Sequence, residues 1–261
     1  MPSALVTGAS SGIGAAFSRE LARNGYDLIL VARDESRLDL LAGQLRDEHG
    51  ASVGVLAADL AADDGIAAVA DQVSGVDLLV NNAGFGNPAP FGVASLDDEL
   101  RMLKVHCEAV LRLTTAALAG MAAAETALAA ATFPRGVINV SSVAAFLGRG
   151  SYGASKAWML SFSLGVAADL AAQRRPERVM ALCPGLTRTE FHHRAGMNVS
   201  GVPKFMWLDA DRVVADSMRD FRNGRVVSIP GPQYKAIVAL ARMAPPKLAA
   251  RLGSRTGRRY T

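Results

Sequence analysis

Short apolar runs alternate with amphipathic segments along most of the chain. The runs are Ala4–Thr7, Leu28–Val31, Val53–Leu56, Leu78–Val80, Val137–Val140 and Val179–Leu182, with a seventh at Val226–Ile229. Between them apolar residues recur at helical spacing, as in Ile13–Leu21, Leu38–Leu45 and Leu100–Leu118. Apolar strands that alternate with helices are typical of a parallel sheet covered on both faces. The pattern therefore predicts an α/β fold, a doubly wound seven-stranded parallel sheet with helices on both faces.

The segment Ala119–Thr132 is rich in alanine and precedes the fifth apolar run. Alanine is the strongest helix former, so the composition favours a helix, with disorder as the alternative for a segment of low complexity. No uninterrupted apolar run reaches about 18 residues, and we expect no membrane-spanning helix.

The bulk composition is that of one globular domain. The 261 residues, half of them apolar, are enough for one well-buried core. Cys107 and Cys183 lie in apolar segments without metal-ligand spacing, so we expect a reduced chain with no disulfide and no metal site. The first strand pattern begins at Ser3, which leaves no room for a signal peptide, and we expect a cytoplasmic protein.

The net charge of +4 is unevenly distributed. From Phe221 onward there are nine Lys or Arg residues and no acidic residue, so the preceding 220 residues carry a net charge of −5. The segment 234–259 predicts an amphipathic helix interrupted at Pro245 and Pro246. We favour its packing on its own domain; peripheral contact with an anionic membrane surface is the alternative. No recognition motif accompanies the charge, so we expect no nucleic-acid binding.

The first apolar run leads into a glycine-rich turn and then a helix. The turn reads Thr7-Gly8-Ala9-Ser10-Ser11-Gly12-Ile13-Gly14. Glycines let the backbone approach a pyrophosphate closely, and the following helix offers free N–H groups and the positive end of its dipole. The GxxxGxG spacing in the first strand–helix unit predicts a Rossmann-type dinucleotide site. A tight turn without a ligand is the alternative.

The residue at the end of the second strand selects the form of the dinucleotide. An acidic residue there accepts a hydrogen bond from the ribose 2′-hydroxyl, whereas an arginine accommodates a 2′-phosphate. The sequence places Arg33 at this point, followed by Asp34, while Asp27 lies at the other end of the strand. Arg33 favours NADP(H) over NAD(H). A solvated residue at a helix start is the alternative.

Three further motifs follow in the chain. They are Asn81-Asn82-Ala83-Gly84 after the fourth strand, Tyr152-Gly153-Ala154-Ser155-Lys156, and Pro184-Gly185 after the sixth strand. With the phosphate loop, this ordered set resembles the short-chain dehydrogenase/reductase family, in its short single-domain branch, over about residues 3–230. The resemblance implies a nicotinamide-dependent oxidoreductase. We divide the chain into a Rossmann-fold catalytic and cofactor-binding domain, 1–231, with a substrate cover at about 186–208, and a basic C-terminal helix and tail, 232–261.

The resemblance implies catalytic roles for Tyr152, Lys156 and Ser142. On a helix, Tyr152 and Lys156 lie one turn apart on the same face. A tyrosine pKa is about 10, and a neighbouring ammonium lowers it toward the range useful for proton transfer. The resemblance also implies that Lys156 holds the nicotinamide ribose and that Ser142 donates a hydrogen bond to the substrate oxygen. The alternative is an amphipathic helix with a buried tyrosine and a solvated lysine.

The resemblance also carries over a set of cofactor-binding positions. These are Gly8, Ser10, Ser11, Gly12, Ile13, Gly14, Arg33, Asp59, Leu60, Asn82, Ala83, Gly84, Tyr152, Lys156, Pro184, Gly185, Thr187 and Thr189. Asp59 resembles the aspartate that contacts adenine, with a helix N-cap as the alternative. Residues 82–84 resemble the segment beside the adenosine ribose. Pro184, Gly185 and Thr189 resemble the turn that holds the nicotinamide carboxamide, with Leu186 or Thr187 nearby.

Two features depart from the family pattern. Members usually carry an asparagine in the helix before the fifth strand, where it positions a water for proton relay to the lysine, and His106 stands there. An imidazole titrates near neutrality, so His106 either takes part in the relay or is a core histidine satisfied by the backbone. Ser142 precedes Tyr152 by ten residues, whereas the family usually has about thirteen, so the loop 143–151 should be tight. Ser141 is the alternative donor, although strand alternation points it to the other face.

Aromatic residues around these motifs predict an apolar substrate pocket. The candidates are Phe85, Phe146, Phe191 and Trp207, with Leu147, His192, His193, Met197, Phe205 and Met206 nearby. Such a pocket suits a hydrophobic ketone, a ketoacyl-type carbonyl or the matching secondary alcohol. Packing of a mobile flap or of a subunit contact is the alternative. The adjacent histidines lack further ligands and predict no metal site.

Three functional hypotheses follow, of which the third is a membrane-attached scaffold. The first is an NADP(H)-dependent oxidoreductase acting on a hydrophobic carbonyl or alcohol. The second is an NADP(H)-binding regulatory protein of the same fold that has lost turnover through the His106 and loop changes. Because the Tyr152 segment also carries Trp158, Met159 and Phe162, and family members often dimerise through this helix, we expect a homodimer or homotetramer.

Overall fold

A computed structural model of the protein describes residues 1–86, 92–124, 133–147, 150–191, 195–196 and 201–243. The strands are β1 (Ser3–Thr7), β2 (Asp27–Ala32), β3 (Val53–Ala57), β4 (Leu78–Asn81), β5 (Gly136–Val140), β6 (Arg178–Leu182) and β7 (Val227–Ser228). They form one parallel sheet in the order β3-β2-β1-β4-β5-β6-β7. The predicted fold class is confirmed. The order reverses between β1 and β4, which opens a crevice at the carboxyl ends of these strands.

Helices cover both faces of the sheet. They are α1 (Gly12–Arg23), α2 (Glu35–His49), α3 (Asp63–Val73), α4 (Leu96–Leu103), α5 (Val110–Ala123), α6 (Gly150–Ala172), α7 (Ala210–Arg222) and α8 (Pro232–Met243). One large core cluster includes Phe17 of α1 and Phe221 of α7, both fully buried, and a second includes Leu5 of β1 and Leu113 of α5. Each such side chain contributes about 1.5–3 kcal/mol by leaving water.

The segment predicted as one helix over Leu100–Leu118 is broken by a π-helical turn at Lys104–Ala109, which joins α4 to α5. Apolar periodicity does not detect this turn, because a widened turn shifts the side-chain positions by only one residue. Val105, His106 and Ala109 point into the protein from this turn. The alanine-rich segment is helical to Ala123, and its residues 125–132 lie outside the described part of the chain.

Helix α8, the part of the C-terminal segment that the structure describes, packs on the domain. Tyr234 and Val238 are buried in it, whereas Leu240 and Met243 are exposed. The predicted interruption at Pro245 and Pro246 lies outside the described residues. In the described part of the chain, no helix has both the length and the apolar character needed to cross a membrane.

Candidate active site

The phosphate loop brings backbone segments together more closely than any side chain allows. A Cβ on Gly14 would lie 2.2 Å from the carbonyl oxygen of Gly8 and 2.5 Å from Nδ2 of Asn82. Ser11 is the N-cap of α1, yet its side chain makes no capping hydrogen bond, and the first turn of α1 carries no acidic residue. The uncapped N–H groups of this helix start fit an anionic pyrophosphate.

The segment after β4 is bonded to the phosphate loop. The hydroxyl oxygen of Thr7 accepts from the backbone N–H groups of Asn82 and Ala83, each at 3.0 Å, and donates to the carbonyl of Val80 at 3.3 Å. The amide nitrogen of Asn82 donates to the carbonyl oxygens of Thr7 and Gly8, at 2.9 and 3.2 Å. The side chain of Asn82 therefore holds the two loops in register at the crevice.

The charged residues after β2 lie where a ribose substituent would be recognised. Arg33 is exposed just before α2, and Asp34 caps that helix by accepting from the backbone N–H of Arg37 at 3.1 Å. A neighbouring cleft of about 230 Å³ is lined by Ser10, Arg19 and Arg37, among others. Arg33 and Arg19 add positive charge here, whereas Arg37 pairs with Glu190 at 2.9 Å and with Asp34 at 3.4 Å. Asp34 is therefore engaged both in capping α2 and in this ion pair.

Two predicted cofactor-binding positions after β3, Asp59 and Leu60, differ in accessibility. The carboxylate of Asp59 is partly exposed, accepts from the backbone N–H of Ala61 at 3.0 Å and lies 3.8 Å from the guanidinium of Arg101. The N-cap of α3 is Ala62, so Asp59 is not the helix cap that we weighed as the alternative. Leu60 is buried in the core, so its side chain is shielded from a ligand.

Tyr152 lies in the first turn of α6 and Lys156 one turn later. Lys156 is buried, its Nζ donates to the carbonyl oxygen of Val140 at 3.0 Å, and it lies 5.8 Å from the centre of the Tyr152 ring. Burial lowers the pKa of Lys156 to about 8, opposed by the nearby thiols of Cys107 and Cys183. The alternative of a solvated lysine on an amphipathic helix does not fit this geometry.

The two serines after β5 have different surroundings. Ser141 is buried and donates to the carbonyl oxygen of Lys156 at 2.8 Å. Ser142 is half-buried, and its Oγ accepts from the backbone N–H of Ala144 at 3.1 Å. This bond uses the oxygen of Ser142 as an acceptor and leaves its hydroxyl proton available for a substrate oxygen. A single 3₁₀ turn, Val143–Phe146, and the start of α6 at Gly150 account for the short spacing.

A chain of buried polar side chains, which the sequence did not reveal, fixes α6 against the sheet. Asn81 donates to Asn139 at 2.9 Å and to Thr114 at 3.2 Å. Asn139 in turn donates to Ser163 of α6 at 3.0 Å, and Ser163 donates to the carbonyl of Met159 at 2.7 Å. Buried polar groups that satisfy one another define a single packing arrangement. They set the position of the helix that carries Tyr152 and Lys156.

His106 is fully buried in the π-helical turn and contacts the Tyr152 turn directly. Its Nε2 accepts from the backbone N–H of Phe85 at 3.3 Å, and its Nδ1 lies 2.9 Å from Oγ of Ser155. Its ring packs edge-on against that of Tyr152, with 5.7 Å between centroids. Burial, followed by the charge of Lys156, lowers the pKa of His106 well below its usual range.

The turn after β6 lies between the phosphate loop and α8. A Cβ on Gly12 would lie 3.0 Å from the Thr189 side chain. A Cβ on Gly185 would lie 2.0 Å from the ring of Tyr234, whose hydroxyl accepts from the backbone N–H of Leu186 at 2.9 Å. Pro184 and Thr187 are buried in the same turn. Tyr234 was absent from our sequence-based site because it lies in the C-terminal helix.

The predicted substrate residues fall into two groups. Phe85 and Phe191 lie by the catalytic candidates, with ring centroids 6.2 Å from His106 and 6.2 Å from Tyr152 respectively. Phe146 packs against a small core cluster and under the guanidinium of Arg242 at 5.0 Å, whereas the Trp207 ring lies 5.9 Å from the guanidinium of Arg188. His192, His193 and Met197 lie outside the described residues.

Comparison with known proteins agrees with this fold. The pattern of the short chain dehydrogenase family matches residues 2–199. Serine 3-dehydrogenase from Agrobacterium fabrum is 34% identical over 192 residues, 72% of this chain and 72% of that protein. The chain therefore belongs to the short-chain dehydrogenase/reductase family. It is an NAD(P)-dependent oxidoreductase acting on alcohol or carbonyl groups.

Two solved structures show the same architecture with different cofactors. A short-chain dehydrogenase from Sphingobium yanoikuyae in complex with NADPH has a TM-score of 0.80 and 33% identity, covering 93% of this chain and 94% of that chain. The 3-oxoacyl-[acyl-carrier protein] reductase from Brucella melitensis in complex with NAD has a TM-score of 0.72 and 30% identity, covering 87% and 94%.

Proposed function

We propose that the protein reduces a hydrophobic ketone or ketoacyl-type carbonyl with NADPH, or oxidises the matching secondary alcohol with NADP. The arrangement around Tyr152 carries the proposal. Its ring lies beside the ammonium of Lys156 and contacts the rings of His106 and Phe191. A phenol that has a buried cation nearby and is enclosed by aromatic rings suits proton transfer to a carbonyl oxygen.

The residues of this chain divide the chemistry among them. A bound nicotinamide supplies the hydride in reduction and accepts it in oxidation. Tyr152 donates its phenolic proton to the substrate oxygen in reduction and takes it back in oxidation. Ser142 donates a hydrogen bond to the same oxygen while negative charge develops there. The Lys156 ammonium stabilises the phenolate that Tyr152 becomes after giving up its proton.

The arginine-bearing surface after β2 and beside the phosphate loop supports NADP(H) as the preferred cofactor. Arg33 follows β2 and is exposed, and Arg19 and Arg37 line the cleft beside Ser10 of the phosphate loop. A 2′-phosphate adds negative charge that this surface attracts, whereas an acidic residue that favours a free 2′-hydroxyl is absent from position 33. Asp34 is committed to capping α2.

The aromatic surroundings of Tyr152 support an apolar substrate. Phe191 contacts the Tyr152 ring and also lies near Gly86, where an added Cβ would be 3.3 Å from its ring. Phe85 is 36% exposed beside His106, and Phe205 is 71% exposed on the segment after β6. Exposed aromatic side chains at a crevice are suited to an apolar ligand.

An exposed apolar face on α5 and α6 supports a homo-oligomer, a homodimer or homotetramer. Leu111 of α5 and Leu164 of α6 are 44% and 42% exposed, and Trp158 stacks on Phe162 of α6 with centroids 5.0 Å apart. Covering such side chains in a symmetric contact removes apolar surface from water. Light scattering should report a multiple of the 27.3 kDa chain, and Leu164→Glu should lower it.

Turnover of a carbonyl panel with NADPH tests the proposed function. We expect oxidation of NADPH, followed by absorbance, with bulky ketones and ketoacyl thioesters, and much slower oxidation of serine with NADP. Tyr152→Phe should lower kcat by about 10²–10⁴-fold while the Kd for NADPH changes by less than about threefold. Tyr26→Phe, a buried tyrosine remote from the crevice, is the matched control.

The regulatory hypothesis gives the opposite result in the same assay. Stoichiometric binding of NADPH without turnover of any carbonyl or alcohol would refute the proposed oxidoreductase and favour a regulatory protein. Preference for small polar alcohols over bulky ketones would refute the apolar substrate class alone, and preference for NADH would refute the assignment of NADP(H).

A further inference from the structure

The hydrogen bonds of His106 determine which of its ring nitrogens carries the proton. The backbone N–H of Phe85 can only donate, so Nε2 of His106 must be an unprotonated acceptor. A neutral imidazole with an acceptor Nε2 carries its proton on Nδ1. That proton faces Oγ of Ser155 at 2.9 Å, and the Ser155 hydroxyl donates its own proton to the carbonyl oxygen of Tyr152 at 2.8 Å. Each donor in this series of hydrogen bonds therefore meets one acceptor.

A protonated imidazole does not fit this site. A second ring proton on Nε2 would point at the N–H of Phe85, so two donors would face each other. The ammonium of Lys156 lies nearby, since a Cβ on Gly84 would be 2.7 Å from Nε2 of His106 and 3.5 Å from Nζ of Lys156. The other titratable group packed against the ring is the Tyr152 phenol, which is neutral or anionic. A second positive charge is therefore unfavourable in this buried space.

The contacts of His106 join two parts of the active site. Phe85 follows the Asn82–Gly84 segment, which is bonded to the phosphate loop, and Ser155 connects to the backbone of the Tyr152 turn. The His106 ring also packs against the Tyr152 ring. Loss of the imidazole would release the Tyr152 turn from the segment that follows β4.

We propose that His106 is a positioning residue, a neutral imidazole with its proton on Nδ1 that holds the Tyr152 turn against the segment after β4 and carries no proton in turnover. This inference rests on the proposed role of Tyr152 as the proton donor. It distinguishes the chain from a site in which the residue at this position relays protons. Gly84 is required beside it, because any Cβ there would enter the imidazole.

The tautomer is tested without any activity measurement. In protein labelled with ¹⁵N-histidine, the His106 resonances, assigned by their loss in His106→Asn, should report a neutral ring protonated on Nδ1 from about pH 5.5 to about pH 9. The sequence has four histidines, so assignment by single substitution is practical. Protonation of His106 in that range, or a proton on Nε2, would overturn the proposal. This result stands whether or not the protein reduces ketones.

Kinetics test the positioning role. His106→Gln retains a group that reaches the N–H of Phe85, His106→Asn retains one that reaches Ser155, and His106→Leu retains neither. We expect kcat to fall about 10- to 100-fold in His106→Leu, with smaller losses in the two amide variants and an unchanged pH profile of kcat. Ser155→Ala should also lower kcat. The kcat of the double variant His106→Leu/Ser155→Ala should be no lower than that of the slower single variant.

The control is Ser161→Ala, an exposed serine of α6, which should leave kcat unchanged. Three outcomes would refute the positioning role. A shifted pH profile, or fully additive losses for His106 and Ser155, would refute positioning. Loss of thermal stability with full kcat in the folded amide variants would also refute it, because the histidine would then act on the fold alone. Wild-type turnover by Tyr152→Phe would instead refute the proposed function.

Discussion

The side-chain nitrogen of Asn82 lies 3.2 Å from the carbonyl oxygen of Gly8 and donates a hydrogen bond to it. This contact joins residues that are 74 positions apart in the chain. It holds the segment after β4 against the phosphate loop, at the point where the strand order of the sheet reverses. The geometry of the crevice therefore depends on the close packing of Gly8 and Asn82 beside Gly14, where an added methyl group would collide with both residues.

Gly14→Ala should weaken cofactor binding. The new Cβ would lie 2.2 Å from the carbonyl oxygen of Gly8 and 2.5 Å from Nδ2 of Asn82, so the loop must move. We expect the Kd for NADPH, measured by fluorescence titration, to rise at least about tenfold, or about 1.4 kcal/mol. Gly43→Ala in α2 is the control, since no atom lies within 4 Å of its Cβ, and it should stabilise the fold by about 0.5–1 kcal/mol. Unchanged NADPH affinity in Gly14→Ala would contradict the assignment of the phosphate loop as the cofactor site.

Arg33→Ser should shift the cofactor preference toward NADH. The substitution removes an exposed guanidinium at the end of β2, and a hydrogen bond to a charged group contributes about 1.5–3 kcal/mol. The ratio of kcat/KM for NADPH to that for NADH should fall about 10- to 100-fold. Arg23→Ser, an exposed arginine at the end of α1, should leave the ratio unchanged. An equal loss with both cofactors would show that Arg33 does not read the 2′-phosphate.

Lys156→Met should stabilise the protein at neutral pH while abolishing turnover. Burial lowers the pKa of Lys156 from its ordinary 10.5 to about 8, so the folded protein bears the penalty of a buried ammonium below pH 8. Removing the ammonium eliminates this penalty but also eliminates its hydrogen bond to Val140. The net effect should be a rise of about 2 kcal/mol in the free energy of unfolding at pH 7.

The sign of the pH dependence provides a second check on Lys156. Between about pH 8 and 10.5 the unfolded chain holds the proton and the folded protein does not, so wild-type stability gains with rising pH relative to Lys156→Met. Denaturant melts of both proteins across this pH range measure the difference in their free energies of unfolding. If this difference did not change with pH, or if the wild type were the more stable protein at pH 7, the predicted burial penalty of Lys156 would be contradicted.

Tyr234→Phe should loosen the segment after β6. The hydroxyl of Tyr234 donates to the carbonyl of Met206 at 2.6 Å and accepts from the backbone N–H of Leu186 at 2.9 Å. Its loss should lower the free energy of unfolding by about 1–2 kcal/mol, measured in urea. Because both partners lie in the predicted substrate cover, about residues 186–208, we expect KM for the carbonyl to rise more than kcat falls. Tyr234→Leu also empties the space against Gly185 and should be less stable than Tyr234→Phe.

The strands and the phosphate loop could be predicted because their signals are local. A strand buried on both faces must be apolar along its whole length, and each observed strand end lies within one residue of the predicted one, β7 being one residue shorter at each end. The glycine spacing of the phosphate loop and the one-turn separation of Tyr152 and Lys156 likewise depend on backbone geometry over a few residues. The family followed from the order of these motifs.

The partners of the buried polar groups could not be predicted in this way. His106 meets residues 21 and 49 positions away, Asn81 meets Asn139, and Tyr234 reaches the turn after β6 from the C-terminal helix. The sequence therefore determined the sheet, the phosphate loop and the Tyr152–Lys156 pair, because each is set by spacing along the chain. Only the tertiary structure decided the hydrogen-bond partners of His106 and the burial of Lys156, because these contacts and the exclusion of water depend on which distant segments pack together.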